Sequence, residues 1–147
     1  MPMIDVFARG GTFVDKHQLA VDLATTVMRV EGVPDIPMFR DNTAAFVHEM
    51  DGQSLANVNG DNNYVRVQVL TNAAALTRDK QIEVVQRLTA VVISAAGDPS
   101  LIDRTWVLLT EAPDGGWGLN GHAHLNHELV EAARTQLRGG QGAVSPG

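Results

Sequence analysis

Residues 64–70 read YVRVQVL and residues 106–111 read WVLLTE. In the first stretch Val65, Val67 and Val69 alternate with Arg66 and Gln68, the period-two pattern of a strand with two distinct faces. Between the two stretches the period changes. Thr77 is placed to cap a helix, Ile82, Val85, Leu88, Val92 and Ala96 form its apolar stripe, and Gly97, Asp98 and Pro99 end it. Two strands joined through a helix pair in parallel by a right-handed crossover.

The same unit is written once upstream. Residues 3–8, with Met3, Ile4, Val6, Phe7 and Ala8, read as a buried strand that Gly10 and Gly11 break. A helix begins near Val14 or Asp15 and carries Leu19, Leu23, Val27 and Val30 at spacings of four, four and three, ending at Gly32, Val33 and Pro34. TAAFVHEM at 43–50 is its second strand, and DGQSLANVNGDN carries turn chemistry. Asp15 against Asp79 is offset by 64, Gly32 against Gly97 by 65, and Glu49 against Glu111 by 62, which implies an internal duplication.

The expected architecture is therefore an α/β (α+β) domain of two β-α-β repeats, about 2–60 and 64–121. Its core is a four-stranded, mostly parallel sheet with two helices on one face. APDGGWGLNG supplies a turn and a short hairpin, residues 125–138 read as a final helix, and residues 139–147 read as a flexible tail.

Composition narrows the function. The chain has 147 residues, 44% hydrophobic and 19% charged, enough for one domain with a sizeable core. A formal net charge of −6 with scattered Lys and Arg argues against a nucleic-acid partner. No apolar run approaches the about 18 residues of a membrane span, and no charged leader precedes an apolar segment. The absence of Cys excludes disulfides and thiolate metal sites and fits a cytoplasmic protein.

The start of the chain, MPMIDVF, raises a chemical possibility, because methionine removal favours a small second residue and would leave Pro2 with a free secondary amine. A Pro directly after Met, β-α-β units of about sixty residues, a strand ending in LLTEAP and then GGWGLNG resemble the tautomerase superfamily, specifically its fused 4-oxalocrotonate tautomerase-like members. The match spans 2 to about 121 and is strongest over 65–121. The resemblance implies the duplicated sheet, a homotrimer of the fused chain, no cofactor, and an amino-terminal proline that moves protons or adds to carbonyl and unsaturated acids. A free α-amine titrates near about 7.7–8, and an apolar pocket or nearby Arg lowers it, so Pro2 would be partly neutral and able to act as a general base.

The arginines depart from the family pattern. Where relatives end the first strand region in arginine this chain has Thr12, with Arg9 nearest, and where they open the last strand with arginine it has Trp106, with Arg104 two residues earlier. VLTNAAALT lacks the arginine pair of dehalogenase members, which disfavours haloacrylate chemistry. Arg9 is thus a carboxylate binder or an interface ion-pair partner, and Arg104, Arg40 and Arg66 are the fallbacks. Trp117 and Met50 fall where relatives line the pocket; Trp117 is equally a hairpin anchor. Asn72 is the polar residue nearest the vacant arginine positions, a loop cap or a site residue. His48 reads as a core or interface residue. His122, His124 and His127 read as surface or helix-start residues, since no carboxylate spacing completes a recognisable zinc motif, and no metal is expected.

The sequence therefore points to a cofactor-free keto-enol tautomerase using Pro2 on a 2-oxo acid or related enol. A Pro2-dependent hydratase, decarboxylase or dehalogenase of an unsaturated acid is one alternative, and a non-catalytic trimeric binding scaffold is the other.

Overall fold

The computed structural model describes residues 1–144, with side-chain environments over 1–140. Four strands, β1 (Met3–Arg9), β2 (Ala44–Met50), β3 (Val65–Thr71) and β4 (Thr105–Glu111), form one sheet in the order β2-β1-β3-β4. The pairs β1/β2 and β3/β4 are parallel, and β1/β3 between them is antiparallel. Each parallel pair is joined by one long helix, α1 (Lys16–Glu31) or α3 (Arg78–Ala96), as the two repeats require. The expected duplicated, mostly parallel sheet is the one observed. A short helix α2 (Pro37–Asp41), which the sequence reading did not anticipate, precedes β2.

Local chemistry sets the helix ends. Asp15 accepts from the Gln18 amide at the start of α1, and Thr77 accepts from the Lys80 amide at the start of α3. Gly32 and Gly97 end the two helices in the left-handed conformation, with φ of 75° and 64°, a geometry that costs a residue with a Cβ about 1–2 kcal/mol. Asn120 and Gly121, both at positive φ, make the tight turn between β5 (Trp117–Leu119) and β6 (His122–His124). The final helix α4 runs Asn126–Val144, past the expected end at 138. Gly139 and Gly140 do not stop it, because they lack the left-handed φ of Gly32 and Gly97. The tail expected at 139–147 is thus helical through Val144, and residues 145–147 lie outside the described residues. No helix among the described residues is long and apolar enough to cross a membrane.

The core lies between the helices and one face of the sheet. Ile4 and Val6 of β1 align with Val69 and Val67 of β3, and Leu19, Leu23, Val27 and Val30 of α1 cover them as expected. On α3 the buried stripe is Val84, Leu88 and Val92, whereas Ile82 and Val85 face outward. Both sets have helical spacing and share Leu88 and Val92. α3 carries more apolar residues than one face needs, and its packing against α1 and the sheet selects the 84-88-92 rotation.

The other sheet face carries Phe46, Leu70, Trp106 and Leu108, all exposed in the single chain. Register puts them in shared rows: Phe46 beside Asp5, Leu108 beside Gln68, and Trp106 beside Arg66. His48 stacks on Phe7 at 4.4 Å and bonds Asp5 at 2.7 Å, while the Arg66 guanidinium lies over Phe7. The rotation of α3 has a direct test. Leu88→Ala should destabilise the fold by about 2–5 kcal/mol in chemical denaturation, whereas Val85→Ala should change it by about 0.5 kcal/mol or less. Equal losses would assign α3 the other stripe.

Candidate active site at the amino terminus

The antiparallel pairing of β1 with β3 sets Met3 opposite Leu70, so the residues before β1 emerge beside the residues after β3. The parallel partner β2 starts at the same end, where the Ala44 amide donates to the Pro2 carbonyl at 3.2 Å. A crossover helix must end where its next strand begins, and α1 therefore delivers its last residue, Glu31, to this spot. The hairpin and α4 close it from outside: Met1 packs with Ala112, Trp117 and Leu129 in a second apolar cluster, joined by Met38 and Phe39 of α2.

The chain terminus is deeply enclosed. Met1 is 2% exposed and Pro2 beneath it is fully buried. The Met1 ammonium lies 3.5 Å from Glu31 Oε2 and 3.5 Å from Asn72 Oδ1. Glu31 Oε1 and Asn72 Nδ2 are also buried, and neither has a hydrogen-bond partner among the described residues. They offer one free acceptor and one free donor beside the amine. Lys80 Nζ donates to the Glu31 backbone carbonyl at 2.6 Å, binding the end of α1 to the first turn of α3. An open cavity of about 380 Å³ adjoins the terminus, with Met1, Glu31, Asn72, Phe39, Leu129 and Ala133 among its lining and Arg134 also on its wall.

Electrostatics push the two ionisable groups toward their neutral forms. Burial lowers the terminal amine from its ordinary 8.0, with Glu31 pulling it partly back. Burial raises the Glu31 carboxyl above its ordinary 4.5, opposed by the Met1 ammonium and Lys80. A buried carboxylate at a helix C-terminus is unfavourable on both counts, since the dipole there is also negative. Both shifts narrow the gap between the acid and the amine, so passing a proton between them costs less than it would in water.

The expected site residues divide between the two ends of the sheet. Asn72 and Trp117 lie at the terminus, Asn72 touching the amine and Trp117 buried behind Met1. Arg9 and Met50 pair with each other at the far end of β1 and β2, about 20 Å along the strand from Met3. Arg9 bonds Asn62 there at 2.8 Å. Arg104 precedes β4 at that same far end, held by the Asn63 carbonyl, Ser100 and Asp98. Within one chain, none of these three meets Pro2.

Glu31, Lys80, Phe39 and Arg134 were not anticipated. Glu31 did leave a signal, because it continues the 19-23-27 spacing and puts a carboxylate on the buried stripe immediately before Gly32. Arg134 left none, being one of several charges on an amphipathic helix, paired with Glu131 at 2.9 Å.

No protein-family profile and no curated protein sequence matches the chain. Solved structures do. A native fused 4-OT crystal structure superposes with a TM-score of 0.69 at 15% identity, over 87% of this chain and 98% of that one. Pt0534 inactivated by 2-oxo-3-pentynoate gives a TM-score of 0.66 at 17% identity, over 86% and 98%. The macrophage migration inhibitory factor-like protein of Entamoeba histolytica gives 0.64 at 15%, over 82% and 96%. At such identities the likeness is one of backbone architecture, and in that respect the chain has the fused tautomerase-like fold.

Proposed function

We propose that the chain is a cofactor-free tautomerase whose mature amino terminus is Pro2 and whose substrate is an enol or 2-oxo acid bearing an apolar substituent. The observation that carries this reading is the chain terminus buried between a carboxylate and an amide beside an apolar cavity. Loss of Met1 vacates the room its side chain fills and exposes the Pro2 amine to the cavity. In the neutral form Pro2 takes the enol O–H proton, and Glu31, held toward its protonated form, delivers a proton to carbon. The resulting ammonium and carboxylate then exchange a proton and both groups are reset. The free Asn72 amide N–H donates to the substrate oxygen as it gains charge, and Arg134 receives the carboxylate at the wall.

A carboxyl whose pKa is raised by burial can give a proton in its neutral form and take one as carboxylate, so Glu31 can serve both legs of a proton transfer. The missing arginine pair in VLTNAAALT ranks hydration below tautomerisation. Arg9, Arg104 and Met50 join such a site only from another protomer. The uncovered sheet face with Phe46, Leu70, Trp106 and Leu108 supplies a reason for closed assembly, since sheet faces of this kind need an apolar cover. Structural neighbours described as fused 4-OT trimers are consistent with that.

Intact mass of the purified chain should lack one methionine, and the preparation should ketonise phenylenolpyruvate in an ultraviolet assay. Incubation with 2-oxo-3-pentynoate, an alkynyl ketone open to conjugate addition by a neutral amine, should add one molecule to the Pro2 peptide. A chain lacking Met1 that neither turns over the enol nor takes the label is a binding scaffold.

Glu31→Gln should lower kcat/KM by about 10²–10⁴-fold, while Pro2→Ala, which keeps a primary amine, should retain part of the activity. Activity should rise with pH as the Pro2 amine deprotonates. Because a nearby carboxylate raises an amine's pKa, Glu31→Gln should move that limb to lower pH if Glu31 flanks Pro2 as it flanks the Met1 amine. A limb that stays in place separates Glu31 from the amine. Sedimentation should give about three times the 15.8 kDa of one chain, and Leu108→Asp should reduce the assembled mass.

A further inference from the structure

Outside the terminal cavity, the hairpin and the first turn of α4 bring together His122, His124 and Glu128, with one ligand atom from each all within 4.8 Å of one another. Along the sequence no carboxylate stands at a recognisable zinc-motif spacing from these histidines. The fold supplies one, because the Asn120-Gly121 turn returns β6 directly into α4. His122 and His124 are two apart on a strand and share a side, and their rings meet edge to face at 4.7 Å.

The hydrogen bonds around the cluster fix each ligand's orientation. His124 Nε2 lies 3.0 Å from the Leu119 carbonyl, which can only accept, so Nε2 carries the hydrogen and Nδ1 is the free nitrogen. That Nδ1 is buried, has no hydrogen-bond partner among the described residues, and faces Glu128 Oε2 at 3.7 Å. In the neutral ring this sets a lone pair against a carboxylate oxygen, an arrangement that calls for a cation between them. Glu128 is held from behind, its Oε1 accepting the Leu125 amide at 3.3 Å, and its Oε2 lies 2.8 Å from His122 Nε2. A ring N–H on a backbone carbonyl and a carboxylate tethered by a backbone amide are the outer contacts that metal ligands use to hold tautomer and aim.

We infer that His122 Nε2, His124 Nδ1 and Glu128 Oε2 form a binding site for a divalent transition metal of the zinc class. Metal–ligand bonds of about 2.0–2.1 Å in a tetrahedron put neighbouring ligands roughly 3.3 Å apart, and the two separations to Glu128 bracket that value. Two imidazoles and one carboxylate suit zinc and its neighbours, whereas Ca²⁺ and Mg²⁺ take all-oxygen shells. His122 is exposed, which leaves the remaining coordination position to water. The bound ion ties the hairpin to α4. Trp117, the cross-strand partner of His124, packs against Met1 and Leu129, so the same ion stiffens the wall beside the terminal cavity.

Calorimetry on tag-free protein with zinc chloride at neutral pH tests this without any assay of turnover. One site of about 10 µM affinity or tighter is expected, weakened at least about tenfold by His122→Ala and by Glu128→Gln, and unchanged by His127→Ala. In a Trp106→Phe background, stoichiometric Cu²⁺ should quench Trp117, and His122→Ala should remove that quenching. Because His122 is on the surface, its variant retains the hairpin even if replacement of His124 disturbs it. Absence of zinc binding up to about 100 µM, or binding indifferent to both His122→Ala and Glu128→Gln, overturns the assignment.

Discussion

The seven residues of β1 pair with β2 in parallel on one edge and with β3 antiparallel on the other, and the second of these pairings orders the rest of the molecule. A parallel pair alone would put the start of β1 beside the start of its partner. The antiparallel junction adds the end of β3, and with it Asn72, to the same corner. The crossover from β1 to β2 must return there too, which brings Glu31. A buried terminal amine, a carboxylate and an amide therefore converge because of how strands are connected, with each residue contributed by the end of a different element.

The burial of Glu31 is a local cost accepted by the fold. Its carboxyl sits at the negative end of α1 and away from water, and one of its oxygens has no partner among the described residues. The Lys80 contact to the neighbouring carbonyl and the amine itself offset part of that cost. Groups left unsatisfied in a native interior commonly mark function, and here the free acceptor and the free donor of Asn72 flank the same amine.

The faces of the fold were legible in the sequence; its ends were much less so. Alternation of Val65, Val67 and Val69 and the spacing of Leu19, Leu23 and Val27 report which side of an element is buried, and Gly32, Gly97 and Asn120-Gly121 report where the chain turns. Periodicity says nothing of which strand end lies near which, and so Arg9, Arg104 and Met50 could be selected by position in the chain while lying at the opposite pole from Pro2. The rotation of α3 was ambiguous because Ile82 and Val85 make as regular a stripe with Leu88 as Val84 does. The short α2, only five residues, is too brief for a periodic signal. The histidines near the hairpin were visible, but their carboxylate becomes a neighbour only once β6 turns into α4.

The two β-α-β repeats lie on either side of the antiparallel β1/β3 pairing, so the strand and helix ends of one repeat have counterparts at the opposite pole, while the β5/β6 hairpin and α4 cover only one of them. Tyr64 precedes β3 as Pro2 precedes β1, and it stacks on Trp106 at 4.7 Å. Ahead of the left-handed glycine that closes each long helix stands Glu31 in the first repeat and Ala96 in the second. An assembly of separate single repeats would have to carry the buried carboxylate at both poles or at neither, since one sequence would serve both. Joining the halves in one chain frees each to mutate alone, so the penalty of an enclosed acid is borne once per sheet while the opposite pole is left to packing.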